Sequence, residues 1–240
     1  MHRFFALPLN ENLIKITNED AKHISKVLRL NVGEDVIVCD GEGTDYICAI
    51  SSIDKNEVLL ELKQKYANLA EPKTKITLYQ GIPKAGKMEY IIQKCTELGA
   101  FGFVPVAFNR CVAKMENESK IDRLSKVAYE ASKQCGRGIV PKVSNQLSFK
   151  QLLNALVRHE LVVVPYESEE NLSLKDALKE TKANDIAVII GPEGGFEKEE
   201  IDALEKIGAK IVTLGKRILR TETAGMATIT MIMYDKDEMN

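Results

Sequence analysis

Between Phe4 and Tyr66 the apolar residues come in short alternating runs, at 13–17, 35–41, 44–53 and 57–66, with turn signals at Asp40-Gly41 and Lys55-Asn56. A period of two broken by turn residues predicts closely spaced antiparallel hairpins and a small β-barrel. One helix is expected among them, over residues 18–30, entered through Asn18 as N-cap and closed near Asn31 and Gly33. Helical spacing would set Lys22, Lys26 and Arg29 on one face of it, able to touch phosphates or simply solvated.

After the linker-like stretch 67–74 the period changes. Strand-like runs at 75–82, 101–108, 161–165, 185–190 and 209–214 alternate with helix-like runs at 86–99, 118–136, 148–159, 197–208 and 223–234. Such alternation predicts a parallel α/β sheet with helices on both faces. The expected organisation is therefore a barrel domain over 1–72 and an α/β domain over 73–240, with no internal repeat.

Composition narrows the function classes. At 240 residues, 45% hydrophobic and 28% charged, the chain can bury a substantial core. No run approaches the roughly 20 apolar residues of a membrane span, and the apolar start is cut by Asn10 and Glu11 before a signal core forms, so a cytoplasmic location without a membrane partner is expected. Five cysteines without a C-x-x-C pair, and three scattered histidines, His2, His23 and His159, point to reduced thiols and no metal site. The net charge of -2 hides an asymmetry: residues 1–72 hold 8 Lys/Arg against 12 Asp/Glu, residues 73–150 hold 14 against 6, and residues 151–240 hold 11 against 17. A basic block in a mildly acidic chain suits a polyanion, although lysines solubilising helix faces would look the same. Much of the excess lies on the helix expected at 118–136, where Lys120, Arg123, Lys126 and Lys133, with Arg137 just beyond, stand opposite the apolar stripe.

Ligands of parallel sheets collect at the carboxyl ends of strands, so the loops 165–170 (PYESEE), 191–196 (GPEGGF) and 215–223 (GKRILRTET) are the places for chemistry. GPEGGF lacks the Lys-Ser/Thr ending of a phosphate loop and does not spell G-x-G-x-x-G, and Glu193 would meet a phosphate with like charge. A nucleoside triphosphate and a dinucleotide are both disfavoured. In the third loop Lys216, Arg217 and Arg220 crowd before a helix that begins with Thr221, Glu222 and Thr223, which suits an active site; helix capping would use the same residues. The helix that follows sets Ala224, Gly225 and Ala227 beside Met226, Ile229, Met231 and Met233, a pattern of close packing within the chain or across a dimer.

These motifs together resemble the family of bacterial 16S ribosomal RNA uridine-N3 methyltransferases, S-adenosylmethionine enzymes of the SPOUT class. The likeness runs over nearly the whole chain: His2-Arg3-Phe4-Phe5, His23 with Val27-Leu28-Arg29, KMEYIIQKCTELG from Lys87, QCGR from Gln134, IGPEGGF from Ile190 and LGKRILRTETA from Leu214. It implies an N-terminal PUA-like, RNA-binding barrel and a C-terminal domain tied in a trefoil knot. It also implies a homodimer acting on 16S ribosomal RNA, expected within the assembled small subunit.

Carried over by position, the resemblance assigns S-adenosylmethionine to Val164, Pro165, Tyr166 and Glu167, to Gly191, Pro192, Glu193, Gly194 and Gly195, and to Leu214, Gly215, Ile218, Leu219, Arg220 and Thr221. Arg220 and Glu222 are the expected catalytic residues: Arg220 to stabilise a uracil anion, Glu222 or Glu193 as a base. Arg3, Lys22, Lys26, Arg29, Arg123, Arg137 and Arg217 are expected on the RNA side. A donor without phosphate explains the GPEGGF corner, where glycines permit close backbone approach. Rival readings are a ribose or other base methyltransferase of the same class, an RNA-binding module without catalysis and, more distantly, a nucleotide-binding α/β enzyme.

Overall fold

Alternation along the first 67 residues produces five strands: β1 (Arg3–Phe5), β2 (Leu13–Thr17), β3 (Asp35–Cys39), β4 (Thr44–Ile53) and β5 (Glu57–Ala67). They form one curled sheet in the order β1-β3-β4-β5-β2 of a computed structural model that describes residues 1–84, 86–113, 118–179 and 181–239. Inward positions such as Phe4, Ile14, Ile16, Val36, Val38, Ile50, Val58 and Leu60 make a common core, and register shifts at Ile47/Cys48 and Ile50/Ser52 bend β4. Not every pair is a hairpin, because β1 runs parallel to β3.

The helix expected at 18–30 divides into α1 (Asn18–Lys22) and a π-helical turn over His23–Leu28. Thr17, not Asn18, stands at the N-cap, and Arg29 ends the turn in the left-handed region at φ 54°. Lys22, Lys26 and Arg29 are all exposed, but π winding from His23 to Leu28 and the left-handed Arg29 depart from the regular α-helical spacing on which the expectation of one face rests.

The chain divides into two compact units, Met1–Glu71 with Ser132–Val140, and Pro72–Ala131 with Pro141–Asn240. A division at 72/73 thus leaves out a segment of the first unit, and buried polar groups explain why. Glu71 accepts from the Arg137 guanidinium at 2.8 and 3.2 Å and from the backbone N–H groups of Gly138 and Ile139. Asn68 donates to the Gly136 carbonyl and to Asp45, whose carboxylate also receives both Nη atoms of Arg3 at 2.6 and 2.7 Å. Lys133 pairs with Asp20 at 2.8 Å.

In the second unit β6 (Lys75–Gly81), β7 (Gly102–Ala107), β8 (Lys142–Val143), β9 (Leu147–Ser148), β10 (Leu161–Pro165), β11 (Asp185–Ile190) and β12 (Lys210–Val212) form a sheet ordered β12-β10-β11-β6-β7-β8, with β9 also on β7. Every pairing in it is parallel. The helices are α2 (Lys87–Glu97), α3 (Glu118–Cys135), α4 (Phe149–Leu156), α5 (Leu174–Leu178), α6 (Lys198–Lys206) and α7 (Thr221–Asp235). Tyr79, Val104, Val106, Ala187 and Ile189 pack with Leu152 and Leu156 of α4 and Ile201 and Leu204 of α6. On the other face Gly225 of α7 comes close to Leu78 and Ile190. Period-two side chains in continuous apolar strands thus bury both faces. The short α5 was not expected; its only local signal is Ser173, whose hydroxyl caps the Asp176 N–H at 3.1 Å.

Candidate active site

The strand ends bring the three expected loops together around a cleft of about 1040 Å³, a volume suited to a small-molecule ligand. Pro165, Tyr166 and Glu167 line it from the loop after β10; Gly191, Pro192, Glu193 and Gly195 from that after β11; Leu214, Gly215, Ile218, Leu219, Arg220 and Thr221 from that after β12. Two expected residues lie elsewhere. Val164 is buried in the sheet, and Gly194 turns its carbonyl to the Arg110 guanidinium, 3.1 Å away.

Close backbone approach shapes the floor. A Cβ on Gly81, at the end of β6, would sit 2.5 Å from the Pro192 nitrogen, so only glycine lets the β11 loop cross there. Gly195 has φ +69°, and a Cβ there would come within 2.8 Å of a Glu167 carboxylate oxygen. Beneath the cleft Gln80 Nε2 donates to Thr221 Oγ1 at 2.8 Å, and that hydroxyl donates to the Gly191 carbonyl at 2.6 Å. Thr221 is therefore a brace between β6, the β11 loop and α7, not a helix cap. Arg220 holds the N-cap position without a side-chain cap bond and is exposed.

Charge in the cleft is organised around Lys87, a residue outside the three loops to which the sequence points. Lys87 Nζ lies 3.1 Å from Glu193 Oε1 and 3.2 Å from Glu222 Oε2. Glu193 also accepts from the Lys84 backbone N–H at 3.1 Å. Burial alone would push the Glu193 carboxyl up, but its own backbone N–H, the Lys84 N–H and the Lys87 ammonium outweigh that and hold it below the ordinary glutamate range. Glu222 is lowered in the same way: burial opposes, and its own N–H, Lys87 and the charge of Arg220 prevail. A carboxylate so stabilised as the anion is a weak base. Glu169, Glu170 and Lys216 also line the cleft, as does Arg217, which was expected on the RNA side.

The other basic residues divide by burial. Arg137 is 3% exposed and engaged by Glu71, and Arg3 is engaged by Asp45, so both guanidiniums are committed to holding the first unit together. Arg137 also lies past the end of α3, where Gly136 takes φ +81°. Arg123 on α3 is exposed and pairs with Glu89 of α2. Among the described residues no group of three or more His, Cys, Asp or Glu is placed to hold a metal, and no helix is long and apolar enough to cross a membrane.

Known proteins with this architecture carry related chemistry. Residues 70–233 match the profile of an RNA methyltransferase domain, and residues 16–63 that of an RNA methyltransferase PUA domain. The ribosomal RNA small subunit methyltransferase E of Bacillus subtilis (strain 168) is 34% identical over 230 residues, covering 92% of this chain and 90% of the relative. Its namesake from Mesomycoplasma hyopneumoniae (strain 232) is 30% identical, covering 98% of this chain and 100% of the relative. The crystal structure of the Neisseria gonorrhoeae protein of that name, bound to S-adenosyl methionine, superposes with a TM-score of 0.88 at 27% identity over 98% of this chain and 97% of its own. The chain belongs to the RNA methyltransferase family whose curated members are named ribosomal RNA small subunit methyltransferase E.

Proposed function

We propose that this protein transfers a methyl group from S-adenosylmethionine to N3 of a uridine in 16S ribosomal RNA. The observation that carries the reading is the cleft itself: three strand-end loops of a parallel sheet, with glycines at the close approaches and no phosphate-loop lysine, framing about 1040 Å³. The residues fit the cofactor. Pro165–Glu167, Gly191–Gly195 (with Gly194 facing away) and Leu214–Thr221 would hold it, and the carboxylates of Glu167 and Glu193 are compatible with its positive charge. When bound, S-adenosylmethionine supplies an electrophilic methyl whose C–S bonding pair leaves with the sulfur.

The protein's part is to hold the acceptor in line and stabilise the uracil as it loses the N3 proton. Arg220, exposed at the N-terminus of α7, combines a guanidinium with the positive end of the helix dipole and suits an anion spread over the uracil carbonyl oxygens. Glu222, held ionised by Lys87, is a poor proton acceptor, so the proton passes to water.

In this reading the first unit is a PUA-like RNA-binding domain and the second the SPOUT methyltransferase domain, knotted at its C-terminal loops. Lys22, Lys26 and Arg29 of the first unit, and Arg123 and Arg217 of the second, meet RNA phosphates. The outer side of α7, where Tyr234 is 75% exposed and Met231 39%, packs on a second copy in a homodimer. The protein acts in the cytoplasm on the small subunit. Thermal melting with S-adenosylmethionine or ATP tests the cofactor assignment. S-adenosylmethionine at 100 times its Kd should stabilise the fold by about 2.7 kcal/mol, whereas protection by ATP alone would replace this reading with a nucleotide-binding one.

A further inference from the structure

We propose that Lys87 is a positioning residue of this site: its single ammonium, held between Glu193 of the β11 loop and Glu222 in the first turn of α7, fixes both carboxylates at the cleft. The proposal rests on reading the cleft as the cofactor site. Lys87 is the first residue of α2, where a cation meets the wrong end of the helix dipole, so local helix preference does not account for it. What the position offers is reach. From the start of α2, just after β6, the side chain ties the loop that follows β11 to the first turn of α7, and Glu193 also accepts from the backbone N–H of Lys84 in the segment before α2.

The two carboxylates share one partner, so their oxygens lie within about twice an ion-pair distance of each other. Without Lys87 the exposed Glu193 and the partly buried Glu222 would face like charge with no shared cation between them, which favours uptake of a proton by one of the two. The surrounding charges cannot replace it. Arg220 helps to hold Glu222 ionised, and Lys216, Arg217, Glu167, Glu169 and Glu170 also line the cleft, but among the described residues Lys87 is the side chain that forms ion pairs with both Glu193 and Glu222. Lys87 therefore keeps the geometry and charge of the cleft constant across the physiological range.

The test is isothermal calorimetry of S-adenosylmethionine binding between about pH 5 and 8, with wild type, Lys87→Met and Lys87→Arg. The ratio of variant to wild-type affinity cancels the ligand's own titration. For Lys87→Met the affinity relative to wild type should fall about tenfold from pH 8 to pH 5.5, the size expected when a carboxylate titrates about one unit within that window, and Lys87→Arg should restore a ratio independent of pH. A pH-independent ratio for Lys87→Met would overturn the proposal, since a merely structural lysine would weaken binding equally at every pH. Carboxyl-carbon NMR of the wild type is a second measurement, one that needs no variant to fold: Glu193 and Glu222 should titrate below ordinary glutamates, and ordinary values would overturn the clamp. If the wild type failed to bind S-adenosylmethionine at any pH, the cofactor reading would fall while the NMR titration still tested the clamp.

Discussion

Gly81→Ala adds one methyl group at the crossing of β6 and the GPEGGF loop, and the surroundings cannot accommodate it. The new Cβ would lie 2.5 Å from the Pro192 nitrogen and 2.8 Å from both the Gly191 carbonyl carbon and the Pro192 Cδ. These are backbone or ring atoms, so no rotamer change relieves the contact, and the loop must move by roughly 1 Å to restore van der Waals separation. The backbone itself is no obstacle, because Gly81 does not use the left-handed region. Overpacking of this kind costs about 1–3 kcal/mol, or a Tm lower by about 2–12 °C in a chain of this size. Gly225→Ala is the control. Its Cβ would meet Gln80, Leu78 and Ile190 at 3.6–3.7 Å, ordinary contact, and alanine in a helix interior gains about 0.5–1 kcal/mol. Urea unfolding should therefore show the two substitutions with opposite signs, and calorimetry should show weaker S-adenosylmethionine binding for Gly81→Ala only. Unchanged stability and affinity in Gly81→Ala would refute the idea that this close approach builds the cleft.

Thr221→Val keeps the volume but removes the hydroxyl between Gln80 and Gly191, leaving a buried N–H and a carbonyl short of a partner; stability should fall by about 1–3 kcal/mol in urea unfolding, and an unchanged midpoint would remove the brace. Arg137→Gln breaks a buried ion pair and should cost about 3–5 kcal/mol while leaving the salt slope of RNA binding as it was. Lys26→Ala should do the reverse, sparing stability and flattening the slope by about 0.7–0.9, and an exchange of these two phenotypes would contradict the division of the basic residues by burial. Burial pushes the Cys95 thiol up to about 12 and those of Cys39 and Cys48 to about 11, so iodoacetamide at pH 8 should modify Cys111 and Cys135 first in the folded protein. Labelling of Cys95 as fast as Cys135 would show that the core opens.

Long periodic segments are legible in the sequence for a physical reason: strands such as Leu161–Pro165 and Asp185–Ile190 are continuous apolar runs bounded by polar turns, and no competing element fits them. The three loops that line the cleft follow from those strands alone, because their place at the carboxyl ends is a property of parallel sheets. What escapes is set by contacts distant in sequence. The π-helical turn at His23–Leu28 follows a helical pattern in every local respect, and only the structure shows its wider winding. Arg137 looks like the end of a basic helix face, yet Glu71, 66 residues away, draws it inside. Lys87 stands within a family motif, but its pairing with Glu193 and Glu222 depends on the order in which β6, β11 and β12 enter the sheet. A signal for Lys87 does exist: a lysine opening a helix is out of place electrostatically and invites a search for its counter-charge.

Methyl transfer to uridine N3 is tested most directly by supplying labelled S-adenosylmethionine to small ribosomal subunits that lack the modification, followed by nucleoside analysis of the RNA. Label should appear in 3-methyluridine, and it should be lost with Arg220→Ala. Label in a ribose-methylated or other base product would contradict the assigned acceptor atom, and no transfer despite tight cofactor binding would contradict the assigned substrate.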